Sequence, residues 1–158
     1  MDSYNEKFMS EAIKLAAENV KSGKGGPFGA VIVKDGKIIG KGVNLVTSNN
    51  DPTAHAEVIA IRNACKDLGS FQLDGCEVYA SCEPCPMCLG AIYWARPDKL
   101  YFAGTKKDAA DIGFDDSFIY DEINVPYDKR NITTFHIKHA DSLNPFNEWK
   151  NKEDKIEY

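Results

Sequence analysis

Three residues that bind soft divalent metals, and one that can move protons, stand at two places in this chain. His55-Ala56-Glu57 is followed some thirty residues later by Pro84-Cys85-Pro86-Met87-Cys88. Together they offer one imidazole nitrogen, two thiolates and one carboxylate. Catalytic zinc keeps three protein ligands and an open fourth position, whereas structural zinc closes with four. On that logic His55, Cys85 and Cys88 hold one Zn2+ per chain and Glu57 stands beside it, unneeded as a ligand. A carboxylate there can take a proton from water that the metal has made acidic and pass it to a substrate. The plain alternative is a solvated acid that suits a helix start.

The spacings say how the four must be held. Cys85 and Cys88 are three apart, so on a helix they share a face. Pro86 suits a first helical turn, where its missing N–H costs nothing. Cys85 then falls at the helix start, where the positive end of the dipole favours thiolates. His55 and Glu57 are two apart and would point about 200° from each other on a regular helix. They share a site only if the metal lies off the N-terminal end of their helix, and the cap-like Asp51-Pro52-Thr53 just upstream supports that placement. A metal between two helix N-termini is the expectation. Cys82 could close the site as a fourth ligand, although it sits at a strand end beyond Pro84. Cys65 and Cys76 lie on apolar stripes and read as core thiols. His136 and His139 have no ligand spacing around them and read as structural or surface residues.

Residues 4–22 carry Phe8, Met9, Ala12, Ile13, Ala16, Ala17 and Val20 at helical spacing, and Gly23 to Pro27 ends the run. Two β-branched runs at 28–34 and 37–43 flank Asp35-Gly36, a hairpin signal. The helix opened by Asp51-Pro52-Thr53 has Val58, Ile61, Cys65 and Leu68 as its stripe, and Gly69 stops it. Strand 76–82, helix 86–95, strands 99–103 and 132–138, a short helix at 117–123 and a helical stretch from Asn144 complete the pass. Strands alternating with helices after a hairpin predict a mixed sheet of five strands with helices on both faces, a three-layer α/β/α domain spanning 1–158.

The chain has 158 residues, 43% of them hydrophobic and 27% charged, enough for one core without disulfide staples. Five cysteines, three of them crowded into 82–88, favour metal ligation over disulfides in a chain with no visible secretory signal. No window approaches the roughly 20 apolar residues of a membrane span, so the reading is cytoplasmic. A net charge of −5 lacks the basic stripe of a nucleic-acid binder and leans toward a small substrate.

The run Ser81-Cys82-Glu83-Pro84-Cys85-Pro86-Met87-Cys88-Leu89-Gly90-Ala91-Ile92-Tyr93-Trp94-Ala95-Arg96 resembles bacterial guanine deaminases of the cytidine deaminase-like superfamily. So do Gly25 to Ala30, Asn50 to Glu57, Gly113 to Tyr120 and the terminal Tyr158. The resemblance implies a cytidine deaminase-like fold with a central five-stranded sheet, zinc on His55, Cys85 and Cys88, and hydrolysis of guanine to xanthine and ammonia with Glu57 handling protons. It implies that Phe28 stacks on the purine, that Asn44 and the Ala56 backbone bond its edge, that Asp116 reads guanine's N–H groups and that Trp94 walls the pocket. It also implies a homodimer in which the segment 140–158 is exchanged and Tyr158 serves the partner. From the residues alone Phe28 could be core, Asn44 a turn residue and 151–158 a frayed terminus. A tRNA adenosine deaminase shares the zinc motif, a cytosine or cytidine deaminase shares the chemistry, and a non-catalytic zinc-binding domain is the alternative of another class.

Overall fold

The computed structural model describes residues 4–158. These fall into two compact units, one ending at Asp116 and the other running Ser117–Tyr158. In the first unit, helix α1 (Glu6–Ser22) starts at Asn5, whose side chain accepts the Lys7 N–H at 3.0 Å, a cap worth about 1 kcal/mol. It ends on left-handed Gly23. Strands β1 (Gly29–Lys34) and β2 (Lys37–Val43) form the expected hairpin, with positive φ at both Asp35 and Gly36. A short helix α2 (Val46–Asn49), which the periodicity does not predict, precedes α3 (Ala56–Leu68). Then come β3 (Cys76–Cys82), α4 (Pro86–Ala95), β4 (Lys99–Gly104) and a short α5 (Lys106–Asp111), also unforeseen and capped reciprocally by Thr105 and Asp108.

The sheet order is β2-β1-β3-β4, antiparallel except for the parallel β3–β4 pair. Strand β1 is buried along nearly its whole length because helices cover both faces. Ala30 and Ile32 face one layer with Val78, packed against α3 and α4. Val31 and Val33 face the other with Tyr79, packed against Phe8 and Met9 of α1. The α/β/α sandwich is therefore as expected, but with four strands rather than five among the described residues.

Helix α3 seats itself by an alanine face, Ala56, Ala60 and Ala64, while Ile61, Cys65 and Leu68 of the expected stripe are only partly buried at its flank. The reason lies in β2. A Cβ on Gly42 would stand 2.0 Å from the Ala56 carbonyl oxygen, so glycine under alanine lets helix and strand backbones nearly touch. Likewise, α1 exposes Ile13 and Val20 and instead buries the polar Asn19.

The second unit holds α6 (Ser117–Asn124), a 3₁₀ turn (Tyr127–Lys129) and α7 (Asn144–Asn151). The fifth strand expected at 132–138 does not form. A strand exists only where a neighbour takes its ladder hydrogen bonds, and no strand lies beside this segment within its own unit. Ile132, Phe135 and Ile137 are all exposed.

Candidate metal centre

The site is assembled at the carboxyl end of β3 and the amino ends of two helices. Proline at the first position of α4 makes Cys85 its N-cap, with extended backbone, and places Cys88 within the first turn. On the other side His55 is the N-cap of α3, and Glu57 is in its first turn. Because His55 has left the helical path, the two-residue spacing no longer throws the pair apart. The expectation of a centre between two helix starts matches this geometry.

His55 Nδ1 lies 3.5 Å from both the Cys85 and the Cys88 Sγ, and the three ligand atoms all fall within 4.8 Å of one another. A tetrahedral zinc with Zn–N of about 2.0–2.1 Å and Zn–S of about 2.3 Å separates nitrogen from sulfur by about 3.6 Å. The donor set therefore fits zinc. Cys82 is not in this group; its Sγ lies 3.5 Å from the Thr105 carbonyl oxygen instead. Neither His136 nor His139 belongs to a metal-capable cluster among the described residues.

Glu57 is buried, and its Oε2 lies 3.3 Å from the Cys88 Sγ. Burial pushes its carboxyl above the ordinary range. The Cys85 thiol is pulled down to about 4, first by the hydrogen bond from Cys88, with His55 adding to it against the cost of burial. Cys88 moves the other way, held up by the same bond, by burial and by the Glu57 charge. His55 is raised through its bond to Cys85. One thiolate is thus prepared for a cation, beside a carboxyl that is reluctant to carry charge.

Phe28 and Asn44 lie at adjoining strand ends, and the Asn44 N–H donates to the Phe28 carbonyl at 3.2 Å. Phe28 is half-buried and meets Phe114 edge-to-face, with ring centroids 5.0 Å apart. Phe114 was not singled out by the residue types, although it lies in the Gly113 to Tyr120 segment. Ala56 is buried at the first position of α3, where a backbone N–H has no helical acceptor. Asp116 is partly buried; burial and then the Cys85 charge raise its carboxyl pKa, with Lys106 pulling the other way. Trp94 sits on an exposed part of α4, and Tyr158 lies in the second unit, also exposed.

The family model for the cytidine and deoxycytidylate deaminase zinc-binding region matches residues 2–104. The guanine deaminase of Bacillus subtilis (strain 168) is 58% identical over 154 residues, covering 98% of this chain and 99% of that protein. The crystal structure of guanine deaminase from Bacillus subtilis superposes with a TM-score of 0.96 over the same share of each chain. A guanine deaminase structure from Nitrosomonas europaea reaches 0.68 at 34% identity, covering 72% of this chain and 65% of that one. The tRNA-specific adenosine deaminase of Aquifex aeolicus (strain VF5) is 43% identical over 102 residues, 65% of this chain and 67% of that protein. With the matched region enclosing His55, Glu57, Cys85 and Cys88 and a geometry that fits zinc, the chain belongs to the cytidine and deoxycytidylate deaminase zinc-binding family.

Proposed function

We propose that this chain is a zinc-dependent guanine deaminase, converting guanine and water to xanthine and ammonia. The observation that carries the reading is the extent of the likeness. The match to the guanine deaminase of Bacillus subtilis runs over 98% of the chain, well past residue 104, where the general family match ends. Asp116 and most of the segment that follows it therefore lie within the likeness. The tRNA-specific adenosine deaminase from Aquifex aeolicus aligns with only 65% of the chain, and a net charge of −5 leans away from a large RNA partner.

Bound zinc supplies Lewis acidity and makes water nucleophilic at neutral pH. His55, Cys85 and Cys88 hold the ion. Glu57 takes one proton from the attacking water and delivers it to the ring nitrogen, then takes the proton of the added hydroxyl and delivers it to the departing amine. Its burial suits this work, because a raised pKa brings the carboxyl toward the pH at which it must both accept and release. Phe28 stacks on the purine with Phe114 braced against its ring. Asn44 and the Ala56 N–H bond the purine edge, Asp116 accepts from N1–H and the exocyclic amine, and Trp94 helps to wall the pocket. An acceptor that the bound base covers discriminates strongly, because a base without donors there would leave it unpaired.

The chain acts as a homodimer, as one domain in which the segment 140–158 is exchanged and Tyr158 completes the partner's site. Support comes from the second unit itself. None of its residues is buried, and it exposes Phe118, Ile123, Phe135, Phe146 and Ile156. Apolar surface on that scale calls for a covering partner. The place of action is the cytoplasm, in keeping with five cysteines of which none forms a disulfide; no helix among the described residues is long and apolar enough to cross a membrane.

One assay tests the substrate: ammonia release by the zinc-loaded protein from guanine, adenine, cytosine and a tRNA anticodon stem. Release from guanine alone is expected. Release only from the RNA overturns the reading.

A further inference from the structure

The inner face of α1 is apolar except at its last turn, where Asn19 is only 3% exposed. A buried amide must find partners, and this one spends its Nδ2 on two carbonyls, Gly26 at 2.9 Å and Asn44 at 2.8 Å. These two residues are also tied to each other. The Gly26 N–H donates to Asn44 Oδ1 at 3.2 Å, and the Val46 N–H donates to the same oxygen at 3.3 Å. The Gly26 carbonyl also accepts the Phe28 N–H at 2.9 Å. Packing at this point is tight, since a Cβ on Gly25 would stand 2.1 Å from the Asn44 carbonyl oxygen.

The consequence concerns the Asn44 amide. With Oδ1 committed to two backbone donors, Nδ2 is the end left for a ligand. Among the described residues no buried side-chain nitrogen or oxygen lacks a partner. Nδ2 of Asn44, which bonds nothing among them, therefore keeps some accessible surface, although the residue as a whole is buried. The amide can present a donor to a lone pair on a purine ring. Turned over, it would oppose two backbone N–H groups with its own NH2 and offer a lone pair to a lone pair.

We propose that Asn19 is a positioning residue for substrate recognition: it clamps the Gly26 and Asn44 carbonyls, and thereby holds the Asn44 amide with its donor end toward the purine. The proposal rests on Asn44 reading the base. Asn19 itself touches no substrate. Its loss therefore acts on substrate affinity and leaves the zinc and Glu57 in place.

The experiment is a double-mutant cycle on the zinc-loaded protein with guanine, using Asn19→Leu, Asn44→Ala and the pair. Asn19→Ser serves as the variant that keeps one donor. Asn19→Leu should raise KM about tenfold or more, with kcat within about twofold and zinc still one per chain. Asn19→Ser should recover part of the affinity. In the Asn44→Ala background, Asn19→Leu should cost at most about threefold further, because the group it positions is gone. If Asn44→Ala leaves KM unchanged, the base-reading role of Asn44 fails, and this proposal fails with it. If Asn44→Ala raises KM but the Asn19 variants do not, or their effects multiply in full, Asn19 has no positioning role while Asn44 keeps its own. A loss of zinc or of folding in both Asn19 variants would likewise overturn the proposal in favour of a purely architectural role.

Discussion

Gly42→Ala tests how the metal centre is held at a distance from its own ligands. The added Cβ would stand 2.0 Å from the Ala56 carbonyl oxygen and 2.5 Å from the Ala60 nitrogen, both of them α3 backbone. Real Cβ atoms essentially never come within 3.0 Å of such atoms, so α3 must withdraw from β2 by about 1 Å at its first turn. That turn carries His55 and Glu57. Metal–ligand distances tolerate about 0.2 Å, and a misplacement of about 1 Å costs on the order of a hundredfold in rate. Overpacking itself should destabilise by about 1–3 kcal/mol. The variant is expected to bind zinc more weakly, read by chelator competition, and to lose about a hundredfold in kcat/KM for guanine. Two controls separate site geometry from stability. Gly40→Ala meets α3 one turn further on, 2.6 Å from the Ala60 oxygen, and should lose stability with a smaller effect on zinc. Gly36→Ala meets nothing but must hold a φ of 72°, so it should lose about 1 kcal/mol and keep full activity. Wild-type zinc affinity and a kcat/KM within threefold of the parent in Gly42→Ala would refute the reasoning.

Four further outcomes follow from the same geometry. Glu57→Gln should retain zinc and lose about 10²–10⁴-fold in kcat; near-normal turnover would remove its proton-carrying role. Cys85→Ser should lose zinc and activity together, because the hydroxyl that replaces the most acidic thiol of the pair is a poor ligand; a stoichiometric zinc content by metal analysis would count against the assignment. Deleting Tyr158 should raise KM or lower kcat, whereas unchanged kinetics would demote the tail to a bystander. The Tyr79 phenol is pushed from 10.0 to about 12 by burial and by its bond to Glu77 at 3.0 Å. The folded state thus favours the neutral form, and the associated stability, up to about 2.7 kcal/mol, is present below pH 10 and lost between pH 10 and 12. Urea titrations over that range should show this slope in the parent and lack it in Tyr79→Phe; equal slopes would contradict the assignment.

Local chemistry was legible in the residues themselves. Pro86 behind Cys85, the Asp51-Pro52-Thr53 turn and the two-residue spacing of His55 and Glu57 already required a metal between helix starts. Asp35-Gly36 and Gly69 set the hairpin and the end of α3 through backbone preferences that act within a few residues. Three things were not local. The seating of α3 on Ala56, Ala60 and Ala64 depends on glycines in another element, because close approach is a property of two surfaces and periodicity sees one. Asn19 gives no signal in a helix pattern, since only the carbonyls of Gly26 and Asn44, brought beside it by the fold, make a buried amide affordable. The alternating run at 132–138 carries the composition of a strand, but a strand is completed by a neighbour's hydrogen bonds, which the sequence does not contain and its own unit does not provide. Residue type and spacing determined the reactive groups and their metal. Tertiary structure decided their separations, the direction of the Asn44 amide and which surfaces remain to be covered, because each of these is a relation between segments far apart in the chain.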